Sequence, residues 1–397
     1  MPVFYPSGFG DHHGLLRVSL SPGEPNCGIE EWIELMGRDE QLPHLTGVWQ
    51  GDDLAQLSWI QHLFRKVVSE WTFDRTGDFA GDNAVLVARF VNARNGKYFT
   101  QFRGRRVFLV DLADENYDFR PEIYSNFLGV FRCYWSNVFR RERMFPIPLG
   151  MTHHDFGITR SFPKSSERQF IWSFLGQMNK SSRPEIARYL GSLEPHLLFA
   201  VDETKGLSTW NVMDGKRRRL SFERCTNILL DSVFAPAPMG NVNLESWRVY
   251  EALEAGAIPI LEKRPTLDYF TQMWGEHPIP TVSSWKQART FIAEIMASSA
   301  DLDRLQAECM NWWAAKREEW SESTRAFIQR LERMPVPTGP RDFVHPMHSR
   351  PGWQVVELLR HHSLPAMKRR LNLQLGRFLS GKKLRVSLGA NSNIKRT

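Results

Sequence analysis

The sequence predicts an α/β protein built on parallel sheets, and three observations carry that expectation. Short, continuous apolar runs recur at Ala84–Val91, Arg106–Asp111, Gly129–Tyr134, Gln169–Leu175, Leu197–Val201, Val233–Ala235 and Ala257–Leu261, which is how strands buried on both faces read. Segments with helical spacing alternate with them, as crossover connections between parallel strands require. The pattern breaks at Phe145-Pro-Ile-Pro-Leu-Gly150, where two prolines and a glycine end one unit before the next begins. At 397 residues the chain is long enough for two such units and something extra. The expected division is 1–150, 151–335 and a tail of 336–397.

The most informative stretch is Phe234–Ile260. An apolar run leads into a Pro/Gly/Asn loop, then a helix marked by Trp247, Tyr250, Leu253 and Glu254 and stopped by Gly256, then a second apolar run. In a parallel sheet the loop leaving a strand's carboxyl end and entering a helix holds phosphate, because free N–H groups and the helix dipole face the anion. That loop is expected to be Pro236–Asn243. Ser246, Arg248 and Glu251 fall in the first two turns of the helix. A hydroxyl and a guanidinium suit a diphosphate, and a carboxylate suits ribose or sugar hydroxyls.

The residues Ser232-x-Phe234-x-Pro236, Gly240 and Glu245-Ser246-x-Arg248-x-x-Glu251-Ala252-Leu253-x-x-Gly256-x-Ile258-Pro259-Ile260 resemble the donor-binding segment of exostosin-type glycosyltransferases, including the ribitol xylosyltransferase-like branch. The resemblance implies a GT-B fold, two Rossmann-like domains facing a cleft, and a nucleotide-sugar donor. It extends to the Phe-x-Gly strand end at Phe174–Gly176 with its following basic residues, and to the Pro-Leu-Gly run as an interdomain hinge. It is faint over 84–150 and absent at both ends.

In chain order, residues 1–50 read as irregular, with one short helix near Ile29–Met36. Within them Gly10-Asp11-His12-His13-Gly14 gathers three titratable groups in one turn, a general-base loop or simply an exposed one. Leu54–Trp71 reads as one amphipathic helix. Asp111-Leu-Ala-Asp114-Glu-Asn116 closes a strand with three carboxylates, placed for chemistry or for helix capping. His153, His154 and Asp155 follow the hinge, but adjacent histidines point apart and one carboxylate makes a poor metal site.

The second unit opens with a strand and the loop Gly176–Arg183, where Ser182-x-x-Glu185 reads as a capping box and Pro184 fits the first helical turn. Asn179, Lys180 and Arg183 therefore stand at a strand end and helix start, either clamping a diphosphate or solvated. Lys216–Arg219 is expected to begin a helix running to Leu230. Further on, Thr266–Trp274 and Trp285–Ala297 read as helices around a Pro278–Val282 strand. Leu302–Leu331 reads as a long terminal helix whose Trp312, Trp313 and Trp320 pack it back onto the first unit.

The net charge of +7 is concentrated at the C-terminus: 361–397 holds nine basic and no acidic residues, leaving 42 basic against 44 acidic elsewhere. A near-neutral body argues against nucleic acid as a partner. Beyond the Pro-rich linker Met334–Pro340, the residues Leu364, Met367, Leu371, Leu375 and Phe378 recur at helical spacing among basic ones. Residues 364–386 thus suit an anionic membrane surface, or a helix docking on the body. Four widely spaced cysteines read as free thiols. No membrane span or signal peptide is legible, so a cytoplasmic protein, peripheral to the inner face of a membrane, is expected.

These readings converge on an inverting, metal-independent glycosyltransferase. It would move a sugar from a nucleoside diphosphate donor to a glycan hydroxyl, with no cofactor. Asn179, Lys180, Arg183, Gly240, Asn243, Ser246, Arg248 and Glu251 would serve the donor. Inversion is favoured because Asn243, not Glu, stands eight residues before Glu251. Metal independence is expected on the reading that an Asp-x-Asp motif is missing. The base must come from the first unit, with Asp11, His13 and Asp114 as candidates. The alternative is an inactive nucleotide- or glycan-binding scaffold recruited to membranes by its tail.

Overall fold

The structure, a computed structural model, describes residues 44–361 apart from 90, 92–95, 113–114, 116, 118, 152–161, 179, 202–219, 241 and 347–352. These fall in one compact unit, His44–Thr397, which contains two parallel sheets. The first has strands β1 (Leu45–Gln50), β2 (Val68–Asp74), β3 (Ala84–Ala88), β4 (Val107–Asp111), β5 (Gly129–Arg132) and β6 (Met144–Pro146) in the order β2-β1-β3-β4-β5-β6. The second has β7 (Phe170–Gln177), β8 (His196–Val201), β9 (Ser232–Ala237), β10 (Ile258–Glu262) and β11 (Thr281–Val282) in the order β11-β10-β9-β7-β8.

Both orders have the same logic. In each sheet the second strand lies to one side of the first and every later strand to the other, so the direction of winding reverses between β1 and β3 and between β7 and β9. Ligands of doubly wound sheets bind outside the carboxyl ends of the strands at such a reversal. The fold therefore marks two places: the loops after β1 and β3, and the loops after β7 and β9.

The central strands formed as expected. Ala84–Ala88 and Val107–Asp111 are buried at every position, which is why their sequences lack alternation. The first two strands depart from expectation. Leu45–Gln50 pairs with β2 and β3 rather than lying in an irregular region. The helix expected over Leu54–Trp71 is α1 (Leu57–Phe64), and the chain re-enters the sheet at Val68. Gly47, a residue that weakens strands, is needed where it stands, because a Cβ there would collide with the Trp71 indole.

The second lobe's helices are α2 (Arg183–Leu190), α3 (Phe222–Leu230), α4 (Trp247–Glu254), α5 (Tyr269–Trp274) and α6 (Trp285–Ile295). The α3 helix begins later than expected, because Ser221 caps it by accepting the Arg224 N–H at 3.2 Å. The run Lys216–Arg219 lies outside the described residues. The capping box at Ser182 does not form either: Ser182 has helical backbone angles and its hydroxyl makes no cap.

The long helix α7 (Ser299–Glu332) crosses from the second lobe to the first. Trp313 and Trp320 pack on Trp59 of α1 with ring centroids 5.7 and 6.2 Å apart. Phe327 meets Phe131 and Phe145 of β5 and β6, each at 5.2 Å. Trp312 stacks on Trp313 and packs tilted against Trp274. A final helix, α8 (Trp353–His361), sets Trp353 on Tyr117 and Phe119 of the first lobe and His361 on the second. Residues 364–386, expected as the basic helix, lie outside the described residues.

Candidate active site

Backbone strain gathers at the carboxyl ends of the strands. Among the described residues five non-glycines have positive φ: Gln56, Asn83, Tyr117, Tyr134 and Ser181. All but Asn83 follow the carboxyl end of a strand, respectively β1, β4, β5 and β7. Such conformations cost on the order of 1–3 kcal/mol each and gather at functional sites.

At the carboxyl ends of β7 and β9, two arginines flank one ring. The guanidiniums of Arg183 and Arg248 lie 5.8 and 5.0 Å from the centre of Phe174. Arg183, 4% exposed, donates to the carbonyls of Gln177 and Met239 at 3.1 and 3.2 Å, bridging the two strand-end loops. Arg248 donates to Leu175 O at 2.9 Å. Burial lowers the Arg248 pKa, while Glu251 one turn on opposes the shift. Glu251 also faces Cys225 of α3, whose thiol pKa is raised by burial first and by that carboxylate second. The sequence suggested head groups extended toward a ligand; in the structure both guanidiniums also donate to main-chain carbonyls of the strand ends and bracket them. Lys180 is half-buried in the turn before α2, its carbonyl accepting the Arg183 N–H at 3.0 Å.

Among the described residues, the N–H groups of the loop expected to offer free donors are taken. Met239 N donates to Glu262 Oε2 at 3.0 Å and Gly240 N to Asn243 O at 2.8 Å. Val242 N and Asn243 N both donate to Glu115 Oε1, at 2.9 and 3.2 Å. Leu244 N donates to His361 Nδ1 at 3.2 Å. Asn243, assigned to the donor from sequence, is fully buried and binds the Tyr117 hydroxyl at 2.8 Å. It fastens the lobes together. Gly240 is needed for close approach, since a Cβ there would lie 2.7 Å from Glu115 Oε1. The anion seat in this loop is thus filled by a carboxylate of the first lobe.

Ser246 differs from its neighbours. It is 6% exposed at the N-cap of α4, and its Oγ has no hydrogen-bond partner. Gln177 Nε2 and Ser182 Oγ, both on residues 2% exposed, are also without partners. Three buried, unsatisfied polar groups on the β7 and α4 sides of one reversal point are costly unless a ligand or water meets them.

Beside this site lies a buried carboxylate. Glu245, 1% exposed, accepts from Leu149 N at 2.7 Å, from Tyr269 OH at 2.7 Å and from Tyr250 OH. Burial raises its pKa despite those bonds, and raises the Tyr250 and Tyr269 hydroxyls well above their usual value. Glu245 thereby ties α4 and α5 to the linker between the sheets.

The first-lobe base candidates are not brought into this frame. Asp11, His12, His13, Asp114 and the hinge residues His153, His154 and Asp155 lie outside the described residues, as does Asn179. Asp111 is described, and it is locked: 1% exposed, it accepts from Arg132 at 2.8 Å and Tyr124 OH at 2.6 Å. Contrary to the expectation that Asp-x-Asp is missing, the chain contains one, at Asp301-Leu-Asp303 in the first turn of α7. Asp301 pairs with Arg304 at 2.7 Å and Asp303 accepts from Ser166 N and Oγ at 2.9 and 2.8 Å, so it serves the helix start.

Comparison with known families finds a match over the second lobe. Residues 154–334, which contain β7 to β11 and the cluster around Ser246, match the family model of the RXYLT1 C-terminal domain. Over those residues the chain is similar to the RXYLT1 C-terminal domain. No curated protein matches the sequence. Solved structures similar to this chain include an α1,3-fucosyltransferase at 10% identity, over 76% of this chain and 94% of that one, with a TM-score of 0.46. T4 phage BGT, in complex with UDP and Mn2+, matches at 10% identity over 71% and 99%, TM-score 0.41. SnogD, a glycosyltransferase from Streptomyces nogalater, matches at 11% identity over 72% and 99%, TM-score 0.35. The RXYLT1-like lobe is joined to a second doubly wound sheet and bridged to it by α7, which is the GT-B arrangement the resemblance implied.

Proposed function

We propose that the protein transfers a sugar from a nucleoside diphosphate donor to a hydroxyl of a glycan acceptor, by inversion and without a metal. The donor diphosphate would lie at the carboxyl ends of β7 and β9, against Ser246, Gln177 and Ser182. Arg183 and Arg248 lend positive charge beneath it. Glu251 takes a donor hydroxyl and Lys180 closes the β7 side, while Asn179 is kept among the donor residues on its place in the sequence. The observation that carries this reading is the buried, unpartnered Ser246 hydroxyl at a helix N-terminus, where the dipole and the first N–H groups favour an anion. Gly240 and Asn243 shape the neighbouring loop instead of touching the donor.

Inversion in one step needs a base for the acceptor proton and cationic groups for the leaving diphosphate. The second lobe supplies the latter. A thermal-shift series with uridine, guanosine and cytidine diphosphates and their sugars tests the reading. At least one nucleotide family is expected to raise the melting temperature, since a ligand bound only by the folded state stabilises it. No shift with any of them overturns the proposal. A membrane role for residues 364–386 is a separate proposal, supported by their basic and apolar pattern, and is tested by co-sedimentation with anionic vesicles.

A further inference from the structure

The first sheet has its own reversal point, and the transferase reading leaves it without a job. On its two sides stand Asp53, in the loop after β1, and Arg89, just after β3. Arg89 Nε lies 3.1 Å from Asp53 Oδ2, and Asp53 Oδ1 accepts the Ala55 N–H at 3.0 Å. The Arg89 side chain is 11% exposed while that of Asp53 is 47% exposed. The arginine is therefore fixed in the protein and the carboxylate faces out. Arg89 Nη2 also donates to Ala55 O at 2.7 Å and to Gln56 Oε1 at 3.1 Å. Gln56, one of the strained residues, donates in turn to Leu149 O of the linker, whose N–H is held by Glu245. Asp53 is thus positioned by a chain of contacts that reaches the second lobe.

The other described carboxylates at the carboxyl ends of this sheet are committed elsewhere. Asp111 is locked by Arg132 and Tyr124. Asp74 spends both oxygens on Gly77, Asp78 and Phe79 N–H groups and the Tyr98 hydroxyl. Glu115 sits on the second lobe's main chain. Asp52 is 80% exposed beside Arg75, itself 74% exposed, and nothing buried orients it.

We infer that Asp53 is the catalytic base that takes the acceptor proton, held in place by Arg89. This rests on the proposed transferase reading. In the step, the acceptor oxygen gives its proton to an Asp53 carboxylate oxygen and forms the bond to the sugar's anomeric carbon. The bond from that carbon to the diphosphate breaks, and its electron pair leaves with the diphosphate.

The test measures nucleoside diphosphate release from whichever uridine-, guanosine- or cytidine-linked sugar shifts the melting temperature, with water as acceptor. Asp53→Asn, which can still accept from Ala55 N, is expected to lower kcat by about a hundredfold or more, the usual size of a base contribution. The donor KM and the nucleotide-induced melting shift stay unchanged. Asp53→Glu, which keeps a carboxylate, is expected to retain part of the rate, and Asp52→Asn all of it. An Asp53→Asn enzyme within about threefold of wild type overturns the assignment alone. So does a loss matched by Asp53→Glu and by lost donor binding. Failure of the wild-type protein to bind or cleave any donor overturns the assignment together with the transferase reading.

Discussion

Glu115 Oε1 accepts the backbone N–H of Val242 at 2.9 Å, and through that bond the first lobe is fastened to the loop that enters α4. The same oxygen takes the Asn243 N–H, and Gly240 leaves room for it. Charge-assisted bonds of this kind contribute more than neutral ones, but Glu115 is half-buried and solvent screens it. Glu115→Gln is expected to lower unfolding free energy by about 1–2 kcal/mol. Gly240→Ala should cost a similar amount by pushing the carboxylate aside. The double variant should cost little more than either, since both remove one interaction. Urea unfolding of the four proteins measures this, and additive losses would show that Gly240 matters for another reason.

Ser246 offers the opposite case. Its hydroxyl is buried with no partner, so removing it deletes an unsatisfied group and leaves no donor stranded. Ser246→Ala should leave ligand-free stability within about 0.5 kcal/mol of wild type. It should also erase most of the melting shift produced by the nucleotide that binds. A variant that unfolds at lower denaturant yet binds normally would mean the hydroxyl serves the fold.

The sequence was legible where one element's chemistry decided its structure, and opaque where partners lay far along the chain. The β9-loop-α4-β10 unit and the strands β3 and β4 form because their apolar runs and helix spacing admit no other pairing. Leu45–Gln50 was hidden by Gly47, a strand-weakening residue whose reason is the Trp71 ring across the sheet. Val68–Asp74 is an edge strand exposed on much of both faces, and Val67 and Val68 continue the helical phase of α1. Missing β1 also hid Asp53, since a carboxylate after Gly51 gains meaning only once a strand precedes it. In the Pro236–Asn243 loop, local pattern correctly marked a strand end and helix start. Nothing local could show that Glu115, more than a hundred residues away, takes its N–H groups, or that His361 takes the next one, of Leu244.

His62 gives the protein an acid-sensitive seam between α1 and α7. It stacks on Trp59 at 5.9 Å and lies 3.9 Å from Glu318. Burial, then Arg317 and Arg65, lower its pKa to about 4. A base depressed below its unfolded value of about 6.5 contributes stability that is present above that value and is lost as pH falls toward 4. Solvent around the partly buried ring screens the effect, so the loss is on the order of 1–2 kcal/mol. His62→Phe keeps the stacking and cannot titrate, so its stability should fall less than wild type's between pH 6.5 and 4. Parallel pH slopes for the two proteins would remove His62 as the cause.

Glu254 and Arg317 join α4 to α7 at 2.8 Å, with the Trp313 indole N–H donating to the same oxygen at 2.6 Å. Both side chains are almost fully buried, 2% and 4% exposed. Glu254→Ala breaks this buried ion pair in a low-dielectric interior and is expected to cost about 3–5 kcal/mol. Replacing both by apolar residues of similar size, Glu254→Leu with Arg317→Met, should recover most of that loss, because neither charge then needs solvation. The helix carrying Glu254 also presents Ser246 and Arg248 to the proposed donor site, so the single variant should weaken nucleotide binding as α4 loosens. Guanidinium unfolding and the nucleotide melting shift, read on the same samples, separate the two effects. If the double variant is as unstable as the single, the pair itself contributes the stability, and the comparison of desolvation with attraction goes the other way here.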